Sequence, residues 1–280
     1  MRICLRTHMV SDDPAVRLDY CRQVGITAVQ ESAKSIPAAL QRGWPTANEL
    51  KEYRAPFDAA GVAVAGLEPV REPLREWVDD TDEGRRAFDA FARHLEAAGE
   101  AGIPCVTLHP PLDAARTGEE SSDQFQRNCT FYRRASGRAR EAGARLATHS
   151  PWPPAKGLWG AAEFRSLFEA VPERENGMIF CFGCMAIAGC DIRSVLPSLL
   201  DRVLMVHVRD VVIEGGRVDE VLPGTGTVRP GEVIRQLHQL GYRGPLAPEH
   251  LPRLAGESRN EIAMAWASGY CYAVLEGLGE

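Results

Sequence analysis

The sequence predicts an α/β protein whose eight parallel strands and intervening helices close into one (β/α)8 barrel, the TIM-barrel architecture. Three observations predict it. A helical stretch, a glycine and a short β-rich run recur along the chain. Eight β-rich runs alternate with helical stretches. Each of these runs ends in side chains able to ligate, titrate or donate a hydrogen bond. The 280 residues, 45% of them hydrophobic, suffice for one large core, and barrels of this kind commonly have this length. A single domain over residues 1–280 is therefore expected.

The punctuation appears as QVGITAVQ, AAGVAVAG, EAGIPCVTLH, EAGARLATH and ENGMIFCFG, with QLGYRGPLAPEH as a variant. Gly25, Gly61, Gly102, Gly143, Gly177 and Gly241 stand where a helix ends in a left-handed residue, a conformation glycine enters without steric cost. The apolar run after each glycine reads as a buried parallel strand. Helix starts agree. Asp12 with Pro14 reads as a cap plus first-turn proline. Thr46-Ala-Asn-Glu49 and Ser121-Ser-Asp-Gln124 read as capping boxes. Adding MRICLRTH and RVLMVHVRD, the strands fall at 2–6, 26–30, 62–67, 103–108, 144–148, 178–181, 203–207 and 245–248. Strands alternating with helices imply a parallel sheet, and eight of them imply closure. The competing open, doubly wound sheet would show a switch point, and no Gly-x-Gly-x-x-Gly follows the first strand. Gly224-Thr-Gly-Thr227 lies in a loop before a helix and reads as an ordinary turn rather than an anion cradle.

Composition narrows the partners. The net charge is -6 and no long basic tract is present, which argues against nucleic acid. No apolar run is long enough to span a membrane, and MRICLRTHMV is too short and polar for a signal sequence. A cytoplasmic protein acting on a small molecule is expected, with a homo-oligomer left open. The eight cysteines are scattered. A disulfide framework belongs to small secreted chains, so these thiols are expected reduced and buried.

The ends of the strands carry the chemistry. They read Arg6, Thr7 and His8; Gln30 and Glu31; Glu68; His109; His149; Cys181; His207, Arg209 and Asp210; Glu249 and His250. In this fold the active site lies at that rim. Five of the seven histidines fall there, whereas His94 and His238 lie in helical patterns and read as surface or packing residues. A lone strand-end histidine is usually structural. Four candidates on four consecutive strands are harder to dismiss: His149, Cys181, His207 and Glu249 offer two imidazoles, a thiolate and a carboxylate. That is a first shell for a transition metal, which would hold the cysteine as thiolate. Cys181-Phe-Gly-Cys184 is also a C-x-x-C, but it has neither the thioredoxin-like setting nor the second pair of a zinc ribbon. Cys184 and Cys190 therefore read as packing.

Together GMIFCFG, DRVLMVHVRDV, LGYRGPLAPEHLPRLAGE and the ending AMAWASGYCYAVLEGL give the chain a resemblance to the mannonate dehydratase family, within the xylose-isomerase-like barrels. Weaker matches lie at GVAVAGLEPV and ARLATHSPWPP. The resemblance implies a manganese-type metal at His149, Cys181, His207 and Glu249, with Fe2+, Co2+ or Zn2+ as alternatives. It also implies proton transfer by His250 and loss of water from a sugar acid to give a 2-keto-3-deoxy acid. Four departures alter the substrate shell. Glu249 stands where the family usually has Asp. Ser150-Pro-Trp-Pro-Pro154 replaces an aspartate-rich segment. Arg259 and Asn260 stand where a tyrosine is expected. His109 and Pro110 replace an Asn-containing fourth strand end.

The expected chemistry is metal-assisted proton abstraction beside a carboxylate or carbonyl. His250 is the leading acid/base, with Glu68 and Glu31 behind it. Arg209 has a planar fork suited to a substrate carboxylate; a salt bridge to Asp210 or another rim acid is the bland alternative. The competing enzyme is a sugar isomerase or epimerase, which returns the proton instead of expelling hydroxide. A phosphodiesterase would need more rim acids and a basic surface. A barrel that only binds a sugar acid would show neither turnover nor metal dependence.

Overall fold

Strand and helix alternate as the glycine punctuation predicts. The structure, a computed structural model, describes residues 1–71, 75–112, 119–150 and 159–279; of 75–76 and 119–122 it describes only the backbone. In chain order the elements are β1 (Arg2–Arg6), α1 (Pro14–Val24), β2 (Ala28–Ser32), α2 (Pro37–Arg42), α3 (Ala47–Ala59), β3 (Ala63–Glu68), α4 (Asp82–Glu100), β4 (Cys105–Leu108), α5 (Glu119–Ala142), β5 (Arg145–Thr148), α6 (Ala161–Ala170), β6 (Asn176–Cys181), α7 (Phe182–Ile187), α8 (Ile192–Val195), β7 (Val203–Val208), β8 (Asp210–Glu214), β9 (Arg217–Val221), α9 (Pro230–Gln239), β10 (Pro245–Pro248) and α10 (Glu261–Glu276). Eight strands close into a barrel in the order β1-β10-β7-β6-β5-β4-β3-β2, and β8 and β9 form a separate antiparallel hairpin. All eight predicted strands are found, none displaced by more than two residues at either end.

The chain divides into two compact units. The first comprises Met1–Gln30, Pro56–Ala65 and Phe180–Glu280. Its parallel registers pair Cys4 with Ala28 and Arg6 with Gln30 between β1 and β2, and Ala247 with His207 between β10 and β7. Ile3, Leu5, Met205, Val206, Leu246 and Met264 are buried in its core. The second comprises Glu31–Ala55 and Gly66–Ile179. There α4 buries Phe88, Phe91, Ala92 and Leu95 on one face, the three-and-four spacing of an amphipathic helix. Phe91, Phe88 and Trp77 pack around Phe131 of α5. At Gly99 a Cβ would come within 1.9 Å of the Ala142 carbonyl, so only glycine lets α4 and α5 approach this closely.

Local signals hold in most places. Gly25, Gly61, Gly102, Gly143 and Gly241 take φ between 72° and 87°. Thr46 and Glu49 form the reciprocal capping box, with Thr46 N donating to Glu49 Oε2 at 2.7 Å and Glu49 N to Thr46 Oγ1 at 3.3 Å. Three expectations need correction. Gly177 lies within β6, because α6 has already ended at Ala170. The cap of α1 is Asp13, which accepts from Ala15 N at 2.8 Å, one residue past the expected Asp12. Ser121 is inside α5 and does not cap it, since the helix already runs from Glu119. Among the described residues no helix is long and apolar enough to cross a membrane.

Candidate active site

Strand register assembles the site. Side chains alternate across a strand, so residues two apart share a face. The pairing of Ala247 with His207 sets Glu249, two residues beyond Ala247, beside His207. His207 Nδ1 lies 2.8 Å from Glu249 Oε2, and Cys181 Sγ lies 3.6 Å from the same oxygen. The pairing of Arg6 with Gln30 brings two further groups: Gln30 Oε1 sits 3.0 Å from His207 Nε2, and Arg6 Nη1 pairs with Glu249 Oε1. Cys181, His207, Gln30 and Glu249 are each no more than 3% exposed. The ligating atoms of Cys181, His207 and Glu249, all buried, lie within 4.8 Å of one another.

The hydrogen bonds of the two histidines fix which nitrogen is free to ligate. His149 Nδ1 is 2.7 Å from the Ser150 carbonyl oxygen. A carbonyl only accepts, so Nδ1 carries the proton and Nε2 presents its lone pair. Gln30 Oε1 likewise accepts from His207 Nε2, and His207 Nδ1 faces Glu249 Oε2 at 2.8 Å. Either a proton on Nδ1 or a bound cation would bridge that nitrogen and the carboxylate. Histidine ligands to metals commonly donate their other N–H to a carbonyl or carboxylate in this way. Within the first unit, a donor set of one sulfur, one imidazole nitrogen and a carboxylate fits a divalent transition metal.

A second group of charges adjoins Glu249. Arg209 is fully buried; its Nε donates to Glu220 Oε2 at 3.1 Å, its Nη2 pairs with Glu220 Oε1, and its Nη1 donates to Cys184 Sγ at 3.5 Å. Burial raises the Glu220 carboxyl above its ordinary range, although Arg209 opposes this. His250 stands between two carboxylates, its Nδ1 3.7 Å from Glu220 Oε1 and its Nε2 3.8 Å from Glu249 Oε1. It adopts φ 50°, a left-handed conformation uncommon outside glycine and frequent at functional sites. Gly183 makes room for Arg209, because a Cβ there would meet Arg209 Cδ at 2.5 Å. Cys184 thus touches the arginine, and no described cysteine forms a disulfide.

The remaining rim residues are placed as follows. Glu68 ends β3 half-buried, and Glu31 is buried, accepting from Tyr53 Oη at 2.6 Å. The His109 ring meets His149 edge-on with centroids 5.2 Å apart. Asp210 does not pair with Arg209. Its carboxylate accepts from the backbone N–H groups of Val211, Gly224, Gly226 and Val228. The Gly224–Thr227 loop is therefore an anion cradle after all, filled by the chain's own carboxylate. Arg259 pairs with Asp12 and donates to the His8 carbonyl at 3.0 Å. Residues 151–154, where the aspartate-rich segment is replaced, lie outside the described residues.

Sequence reasoning missed Glu220, because it sits on the unpredicted hairpin of β8 and β9. The signal was present. Gly215 and Gly216, both at positive φ, separate two alternating runs, DVVIE and RVDEV, and Gly-Gly between such runs marks a two-residue hairpin. Arg6 and Gln30 were visible as strand ends, but their partners were not.

Comparison with known proteins agrees with this architecture. A mannonate dehydratase from Streptococcus agalactiae is 25% identical over 183 residues, 57% of this chain and 52% of that protein. The chain thus spans about half the length of that curated relative. The crystal structure of a mannonate dehydratase from Streptococcus suis superposes with a TM-score of 0.82 at 17% identity, over 99% of this chain and 93% of that one. The IolI protein, solved with a zinc atom, gives 0.78 at 16% identity over 99% of both chains. Identities this low establish a shared fold. A family model described as xylose isomerase-like TIM barrel matches residues 18–267, and the chain belongs to that family.

Proposed function

We propose that the protein is a metal-dependent lyase of the mannonate dehydratase type, acting on a sugar acid or related polyhydroxy carbonyl compound. One observation carries this reading: Cys181, His207 and Glu249 converge in a buried cluster, and His207 has its second nitrogen engaged by the Gln30 side-chain carbonyl oxygen, as His149 has by the Ser150 carbonyl. His149, Cys181, His207 and Glu249 would hold the metal, Mn2+ being the first candidate and Fe2+, Co2+ or Zn2+ the others. When bound, the metal would stabilise negative charge developing on the substrate's carboxylate or carbonyl oxygen as the adjacent carbon loses its proton.

The chain's own residues supply the rest. Arg6 offsets charge on the outer oxygen of Glu249. His250 takes the proton beside the carboxylate; it is 30% exposed and so reachable by a substrate, unlike the ligands. Arg209 is buried and engaged by Glu220, so in this reading it positions Glu220 alongside His250 rather than gripping the substrate. Glu68 is the next candidate base. Dehydration also breaks a C–O bond, and the departing hydroxide must gain a proton from a second acid. Arg259, where the family's tyrosine is expected, is tied to Asp12 and cannot serve. That favours a second reading, an isomerase or epimerase in which His250 returns the proton. On either reading D-mannonate is a poor substrate.

Incubation of the metal-loaded protein with a panel of sugar acids and ketoses in heavy water, followed by NMR, tests the proposal. Deuterium should enter at the carbon beside the carbonyl of the true substrate. Loss of a hydroxyl identifies the dehydratase, and inversion without loss identifies the epimerase. Efficient conversion of D-mannonate would show that the departures do not matter. Ligand binding with neither turnover nor metal dependence would overturn the enzyme reading.

A further inference from the structure

The second unit contains a cavity of about 530 Å3 whose walls include none of the four candidate ligands. That volume is in the range of small-molecule sites. Trp44, Trp77 and Phe91 form apolar walls, and Arg71 and Arg86 supply polar groups. The walls are held in place. Trp77 is 5% exposed and packs on Phe91 with ring centroids 5.3 Å apart. The guanidinium of Arg93 lies over the Trp44 ring at 5.0 Å.

His94 is the unexpected feature. It is 1% exposed, and among the described residues neither ring nitrogen has a hydrogen-bond partner. Buried polar atoms in native proteins are almost always paired, with protein, water or ligand. Burial holds the ring neutral, its pKa lowered to about 3. Both nitrogens are closed to a water-sized atom, so His94 shapes the wall and does not hold a ligand. The cationic side is open. Arg42, a third guanidinium in the wall, is paired with Glu49. Arg71 and Arg86 have no ion pair or hydrogen bond among the described residues. Against these three cations the lining carries one carboxylate, Glu83. Arginine forks match carboxylate and phosphate oxygens.

We propose that this cavity is a binding site for a small ring compound bearing an anionic group, its carboxylate or phosphate held by Arg71 and Arg86. Trp44 and Trp77 give the ring its apolar walls. The proposal does not rest on the metal reading.

Calorimetry and tryptophan fluorescence on the full chain test it, with D-glucuronate, glucose 6-phosphate, inorganic phosphate and neutral D-glucose as probes. At least one anionic sugar should bind more tightly than glucose, by about tenfold or more, and the double variant Arg71→Ala/Arg86→Ala should remove that preference. Stronger binding of glucose 6-phosphate assigns the anion as phosphate, and stronger binding of glucuronate assigns it as carboxylate. Binding should persist in Cys181→Ala, which separates this site from the metal cluster. Failure of every probe at millimolar concentration, or binding indifferent to the arginine pair, would overturn the proposal.

Discussion

His207 and His94 are both 1% exposed, and they are built in opposite ways. His207 has both nitrogens engaged, one by Gln30 and one by Glu249. Among the described residues His94 has neither engaged. The first ring is held in one orientation, as a ligand must be. The second is packed away with its hydrogen-bonding capacity unspent. Burial alone therefore says little about a histidine, and its partners say what it is for.

Three experiments press on that difference, beginning with the group that the His207 cluster is meant to serve. His250→Asn should keep the metal and lower turnover by roughly 10²–10⁴, the usual worth of a general acid or base. Unchanged turnover would move the base to Glu68. Gln30→Leu removes the acceptor of His207 Nε2. Metal affinity, measured by competition with a chelator, should fall about 10–100-fold, the usual effect of losing such an outer partner. Unchanged affinity would mean that Gln30 does not orient the ring.

The smallest effect belongs to His94 and depends on pH. Its pKa is lowered from 6.5 to about 3 by burial. Between those values the unfolded chain binds a proton that the folded chain refuses, so stability falls as pH drops from 6.5 toward 3. His94→Leu lacks this loss. Near pH 7 it should melt at or above the wild-type temperature, since an unpaired polar group is replaced by an apolar one. At pH 4 its advantage should reach on the order of a few kcal/mol. A variant less stable than wild type at both pH values would mean that His94 has a partner in solution.

The same contrast explains what the sequence made legible. The position of His207 follows from the β-rich run RVLMVHVRD, recognised without a preceding glycine. Cys181 and Glu249 end runs that belong to the glycine-punctuated series. Its partners were less accessible. That Gln30 meets His207, or Arg6 meets Glu249, depends on barrel closure, which brings β1 beside β10 across nearly the whole chain. Glu220 was missed because the hairpin that carries it, β8 and β9, was not recognised. His94 was read as ordinary packing because its helix was recognised, but nothing in a helical period announces a cavity walled by Trp44 and Trp77. Arg209 shows the limit from the other side. Its location was right, yet whether it faces a substrate or an internal acid depended on Glu220.

The central claim is that His149, Cys181, His207 and Glu249 form one metal site. Its most direct test is elemental analysis of protein purified without chelator, for the wild type and for Cys181→Ala, His207→Ala and Cys184→Ala. The account predicts close to one divalent metal per chain in the wild type and in Cys184→Ala, and little in Cys181→Ala and His207→Ala. Full occupancy in His207→Ala and Cys181→Ala, or a wild type that binds no divalent metal even when it is supplied, would contradict it.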